Sequence, residues 1–214
     1  GDAGGGGRSN PVTPYERRRR AEKLADGLPK LQQAKVNESR IVIRQVKPIQ
    51  HPALLAYLKS RKISPVVAQG VCKEVHYTIK EKYVFSIGLK NNSGGWELRN
   101  KYFKASSSPK DLRCITNGSQ KLIVIEGIFD LLSLVTLFPN LKGEADFLIL
   151  NSIAFAEKAL PYFDTCTTVE LYLDQDKAGR KTTSFFLNNN ATCIDKSNFY
   201  KVEKDINAWL MKTH

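Results

Sequence analysis

Two carboxylate-bearing stretches stand out by residue type and spacing. The first is Glu126-Gly127 followed by Asp130; the second is Asp174-Gln175-Asp176 followed by Lys177-Ala178-Gly179-Arg180. Each follows an apolar run, at residues 122–125 and 169–173. The first run is branched aliphatic without alternation, the pattern of a strand covered on both faces in a parallel sheet. In open parallel α/β sheets ligands sit outside the carboxyl ends of the strands, so Glu126 and Asp174 are expected to face one crevice. Asp176 lies two residues further on and, in an extended chain, points to the same side as Asp174. Three gathered carboxylates repel one another unless something positive lies among them. A hard divalent cation, Mg²⁺ or Mn²⁺, prefers such oxygen ligands. Taken alone, an Asp-x-Asp after a strand reads as a solvated turn. The matched Glu-Gly after an equally buried run is what turns the reading toward a metal.

Those acids need a scaffold, and residues 120–214 supply alternating strand and helix signals. A helix is expected over residues 128–138, ended by Pro139-Asn140, and a second buried strand over 146–150. Asn151-Ser152 reads as the cap of a helix over 153–160, with strands at 167–173 and 191–194. Helices over 178–188 and 205–211 complete an alternation that points to the α/β class with right-handed crossovers.

Upstream, residues 41–46 are expected as a strand ended by Pro48, and Pro52 opens a helix with Leu54, Leu55 and Leu58 on its apolar face. Ser64-Pro65 caps and opens a second short helix. Residues 73–89 alternate loosely around a bend at 79–82, and Asn91-Asn92-Ser93-Gly94-Gly95 is a strong turn signal. Residues 96–104 read as one further strand, whose period of two places Arg99, Lys101 and Phe103 on a shared basic face. A polar loop over 105–111 carries Lys110. The chain thus divides into a basic, Gly/Arg-rich linker (1–47), a small basic α+β subdomain (48–119) and an α/β domain (120–214).

The net charge of +12 is unevenly spread. Residues 1–50 hold 11 Lys/Arg against 5 Asp/Glu, residues 51–119 hold 12 against 4, and residues 120–214 hold 10 against 12. A basic front and a mildly acidic rear point to a polyanion held by the first and a metal held by the second. Residues 17–20 are four consecutive arginines, able to neutralise phosphates without reading sequence. No apolar run approaches the roughly 18 residues a membrane span needs, and no secretory pattern is present, so a cytoplasmic location without a membrane partner is expected. Cys72, Cys114, Cys166 and Cys193 lie far apart without CxxC pairing, which argues against a zinc site or a disulfide framework.

The two acidic stretches resemble the Toprim domain shared by bacterial primases, topoisomerases and some nucleases, and look closest to the primase branch. Leu98-Arg99-Asn100-Lys101-Tyr102-Phe103-Lys104 and Ser108-Pro109-Lys110 resemble a primase-like family of mobile genetic elements, and the likeness covers roughly residues 51–214. It implies a Toprim-type parallel sheet flanked by helices, preceded by a small α+β primase-core subdomain. That family usually carries a zinc-binding domain ahead of this core. With no such Cys/His cluster here, the chain is expected to be the core of a longer protein.

Residue by residue, the resemblance implies that Glu126 is a general acid/base or metal-water ligand and that Asp174 and Asp176 are the Mg²⁺ pair. Asp130 would be a further acid, and Asp205, in a late acidic motif in which Asn207 is uncharged, would join Glu126, Asp174 and Asp176 as a metal ligand. Arg99, Lys101, Lys104, Lys110 and Arg180 would hold nucleic acid or nucleotide. The implied activity is metal-dependent nucleotidyl transfer, making short primers on single-stranded DNA from nucleoside triphosphates, with a replicative helicase as a further partner. A Toprim nuclease using the same acids, or a non-catalytic nucleic-acid-binding module of a mobilisation or replication protein, are the alternatives. A topoisomerase is disfavoured because the remaining length leaves no room for a catalytic-tyrosine domain.

Overall fold

The computed structural model describes residues 41–213, which build two five-stranded sheets and the helices around them. Most of the expected linker, including the four arginines, lies outside the described residues.

The first sheet is an antiparallel meander of β1 (Val42–Lys47), β2 (Lys73–Ile79), β3 (Lys82–Lys90), β4 (Trp96–Arg99) and β5 (Lys104–Ser106), in that spatial order. Pairing with β2 takes residues 42–47 out of the expected linker and into this sheet. Between β1 and β2 the chain forms α1 (Pro52–Ser60) and α2 (Pro65–Val71), each opened by a proline whose missing N–H costs nothing in a first turn. The buried carboxylate of Glu74 accepts the N–H groups of Gln50 (3.0 Å) and His51 (2.8 Å), pinning the β1–α1 connection to β2.

The single strand expected over residues 96–104 is instead a hairpin. Asn100 breaks it: its Oδ1 accepts the N–H groups of Tyr102 (2.9 Å) and Phe103 (3.1 Å), and its own N–H donates to the Phe103 carbonyl (3.2 Å). An Asn side chain that satisfies two local donors offers the backbone an alternative to the sheet ladder. Arg99 therefore pairs directly with Lys104 across the hairpin, while Lys101 and Phe103 leave the face expected for them and lie in the exposed turn.

The second sheet has the order β10-β9-β7-β8-β6, from β6 (Arg113–Ile115), β7 (Lys121–Ile125), β8 (Asp146–Ile149), β9 (Thr168–Tyr172) and β10 (Cys193–Asp195). It is parallel except for β6, which runs antiparallel to β8 at the edge. Three residues are too few to show a period, which is why β6 was not readable in the sequence. The helices are α3 (Ile128–Leu137), α4 (Leu141–Glu144), α5 (Ala156–Ala159), α6 (Lys177–Asn189) and α7 (Ile206–Thr213). The continuous helix expected over 153–160 is broken: α5 is one turn between 3₁₀ turns at Ile153–Phe155 and Leu160–Tyr162. Pro161 cannot donate to a helical ladder and limits its extension.

β7 is the central strand and is buried on both faces, as its unalternating sequence implies. Ile123 and Ile125 pack with α3, α7, α1, α2 and with Ile87 and Leu89 of β3. Leu122 and Val124 pack on the opposite side with Phe163 and Phe186. The first of these clusters therefore joins β3 of the first sheet to β7 of the second, and β3 carries the β4–β5 hairpin through its pairing with β4.

Candidate active site

The acids are placed by strand ends and helix starts. Glu126 follows the last residue of β7, and Gly127 is the N-cap of α3. Asp174 and Asp176 follow β9, and Asp176 caps α6 by accepting the N–H groups of Ala178 (3.0 Å) and Gly179 (2.9 Å) with Oδ1. A cap of this kind satisfies donors the helix cannot and sets a carboxylate at its positive end. The Asp174 N–H donates to Glu126 Oε1 at 3.1 Å, joining the two strand ends. Gly179 permits this: a Cβ there would lie 2.1 Å from the Asp174 carbonyl oxygen and 2.8 Å from Glu126 Oε1. No other residue fits.

These groups line a cleft of about 450 Å³ between the β4–β5 hairpin and the second sheet. Glu126, Asp130, Asp174, Asp176 and Asp205 are on its wall, with Arg61, Arg99, Lys104 and Lys204 as the cations. Five of the residues singled out in the sequence as acids thus converge. Of the five basic ones, Arg99 and Lys104 reach the cleft. Lys110 lines an adjoining side cavity instead, and Lys101 is in the exposed turn. Arg180 turns back on its own loop, donating from Nε to the Gln175 carbonyl at 2.8 Å.

Asp130 uses Oδ2 to accept the Gly127 N–H at 2.9 Å, tightening the first turn of α3. Asp205 likewise accepts the Ala208 N–H at 2.7 Å. Asn207 explains itself as a tie: buried, it donates to the Arg61 carbonyl (3.0 Å) and to Ser133 Oγ (2.8 Å), joining α7 to α1 and α3. A carboxylate at that position would have no proton to give either acceptor.

Lys204 was not singled out on its own in the sequence. Its ammonium stands 3.6 Å from Asp174 Oδ2 and 3.9 Å from Asp176 Oδ2, and its carbonyl accepts the Gln175 N–H at 2.7 Å. Nothing local announces this placement, since 28 positions separate it from Asp176. Glu97 and Asn151 were also missed as site residues, being a strand residue and a presumed cap whose side chains reach the cleft only through the fold.

The electrostatics are those of a crowded anionic site. Burial, and then the neighbouring Asp174 charge, push the Glu126 carboxyl up to about 7, although the Asp174 N–H works in the other direction. Burial and then Asp205 push Asp174 up to about 6, against the pull of Lys204. Asp130 is held well above the ordinary carboxylate range by burial, then by Asp174, Asp205 and Glu126.

Among the described residues, no three His, Cys, Asp or Glu side chains converge tightly enough to make a ready metal cage. The donor set nevertheless fits a hard divalent cation. The ligand atoms are carboxylate oxygens, Asp174 and Asp176 turn Oδ2 toward one point, and a cation, the Lys204 ammonium, already stands beside both.

A family profile described as Toprim-like matches residues 123–210, and one described as a domain of unknown function (DUF8464) matches residues 43–108. No curated protein matches the sequence. Among solved structures, the primase fragment of the bacteriophage T7 primase-helicase protein is similar at a TM-score of 0.57 and 20% identity, over 90% of this chain and 81% of that one. A second match comes from the bacteriophage T7 lagging-strand DNA polymerase structure with primase domains bound to an RNA/DNA hybrid and dTTP. There the TM-score is 0.50 at 17% identity, over 76% of this chain and 97% of the other. At these identities the likeness is one of fold. With the matched profile and the acids at the expected strand ends, the chain is a Toprim-containing protein with a primase-like fold.

Proposed function

We propose that this protein is the core of a primase-like nucleotidyltransferase that makes short primers on single-stranded DNA. The observation that carries the reading is the convergence of Glu126, Asp174 and Asp176 at the carboxyl ends of β7 and β9, opposite Arg99 and Lys104 of the hairpin. Asp174 and Asp176, with Glu126 and Asp205 nearby, would hold Mg²⁺ or Mn²⁺. The cation, when bound, supplies charge neutralisation for a triphosphate.

The chain's own residues do the rest. Arg99 offers a planar fork and Lys104 a point charge for phosphates entering the cleft. Glu126 uses Oε1 for the Asp174 N–H, which leaves Oε2 to take the proton of an attacking 3′-hydroxyl. A carboxyl ionising near 7 suits that task, because it is basic enough to accept a proton while about half of it is ionised at neutral pH. A bond forms from the 3′-oxygen to the α-phosphorus, the bond to the bridging oxygen breaks, and pyrophosphate leaves. Single-stranded DNA, nucleoside triphosphates and a replicative helicase or polymerase are the partners this reading carries.

The test is incubation with Mg²⁺ or Mn²⁺, single-stranded template and labelled nucleotides. Growing oligonucleotides support the reading. A shortened template would assign the same acids to a Toprim nuclease, and no product with retained DNA binding would assign the chain to a non-catalytic module.

A further inference from the structure

A second cavity, about 250 Å³, opens beside the cleft and is lined by Glu97, Lys104, Ser106, Lys110, Asn151 and Phe155. It shares Glu97, Lys104, Asn151 and Ser152 with the cleft, so one ligand can occupy both.

Two of its walls are acceptors without donors. Glu97 is only 6% exposed, yet no hydrogen bond or ion pair among the described residues holds its carboxylate. Burying such a group unpartnered is costly, and natural structures rarely do it without a reason. Burial accordingly pushes its carboxyl up to about 7, although Lys104 and Lys110 oppose the shift. Asn151 is 8% exposed, and its Oδ1 also has no partner. Its amide cannot be turned round to find one, because Nδ2 is committed to the Asp111 carbonyl at 2.8 Å. The backbone of Asn151 is fixed as well, with a φ of 62° and its N–H bonded to the Glu126 carbonyl at 2.8 Å.

Acceptors that lack donors call for a ligand that brings donors. The same cavity holds two lysines and the ring of Phe155, which suit phosphate and a flat base. Resting on the nucleotidyltransferase reading above, we propose that this side cavity seats the nucleoside of an incoming nucleoside triphosphate, with Glu97 and Asn151 accepting from its ribose hydroxyls. Lys104, shared by both cavities, would then meet the phosphates as they pass toward Asp174 and Asp176. Glu97 becomes a specificity-determining residue that selects ribonucleotides. A site built to bond a substrate hydroxyl rejects the analogue lacking it because its own acceptor is left unpaired.

The experiment is equilibrium binding of ATP, dATP and purine riboside triphosphate, with Mg²⁺, to the full chain and to its Glu97→Ala variant. A thermal melt accompanies it. Removing an unpartnered buried carboxylate should leave the melt equal or higher, so loss of fold does not confuse the result. The parent is expected to bind ATP at least about tenfold more tightly than dATP, and Glu97→Ala to bring the two within about twofold by weakening ATP. Parent discrimination against purine riboside triphosphate instead, abolished in the variant, would keep the pocket but make the base amine its donor. Identical ratios in parent and variant, or no nucleotide binding by the parent, would overturn the proposal. A Glu97-dependent ratio in a protein that makes no primers would retain the pocket and sink the primase reading. Primer synthesis without such a ratio would do the reverse.

Discussion

The backbone N–H of Asp174 donates to Glu126 Oε1 at 3.1 Å, so the loop after β9 is tied to the carboxylate that ends β7. One acid is thereby held by the backbone of another. The bond keeps two like charges close in a partly buried cleft, and proton and cation binding should both relieve that crowding.

Glu126 ionises near 7 and Asp174 near 6 in the fold, against ordinary values of about 4.3 and 3.9 in an unfolded chain. The folded protein binds these protons more tightly, so their contribution to stability is complete below the unfolded values and is lost as pH rises through 6 to 7. In EDTA the melting temperature should therefore fall between about pH 4 and pH 7, and Glu126→Gln should fall less steeply over that range. Parallel profiles would remove Glu126 from the crowded cluster.

Lys204 is the resident counter-ion in the absence of metal. Its two distances, 3.6 and 3.9 Å, are those of charge proximity rather than short hydrogen bonds, and 63% of its side chain is exposed. Lys204→Met should lower stability in EDTA, by no more than about 1 kcal/mol for so exposed a pair, and should tighten Mg²⁺ binding severalfold. Calorimetric titration of both proteins decides. A variant that binds metal more weakly than the parent would make Lys204 a support of the site rather than a competitor.

The hairpin makes a separable claim. If Arg99 and Lys104 neutralise phosphates, replacing both with alanine should weaken binding to single-stranded DNA. The log–log salt slope should become shallower by about 0.7 for each phosphate no longer neutralised. Lys101→Ala, in the exposed turn, serves as the comparison. An unchanged slope in the double variant would take the hairpin off the binding surface.

The parts that were legible in the sequence are those governed by short-range rules. The unalternating run of β7, the proline-opened α1 and α2, and the strand-then-acid pattern at Glu126 and Asp174 each announce their structure locally. Asn100 was present in the sequence too, but alternation around it outweighed its turn chemistry, so the hairpin that pairs Arg99 with Lys104 was read as one strand. β6 is three residues long and owes its existence to β8. Lys204, Glu97 and Asn151 enter the site through tertiary placement, and Glu97 in particular looks like an ordinary solvent-facing strand residue until its burial is seen.

The central claim is that Asp174 and Asp176 hold a divalent cation. The direct measurement is calorimetric titration of Mg²⁺ and Mn²⁺ into the parent and into the Asp174→Asn, Asp176→Asn double variant, beside thermal melts in EDTA and in millimolar metal. Asparagine keeps size and most hydrogen bonding while removing both charges. The parent should bind metal and gain on the order of 1 kcal/mol of stability at several-fold its dissociation constant. The variant should be at least as stable in EDTA, yet bind weakly and gain less. Equal metal responses in the two proteins, or none in either, would contradict the account.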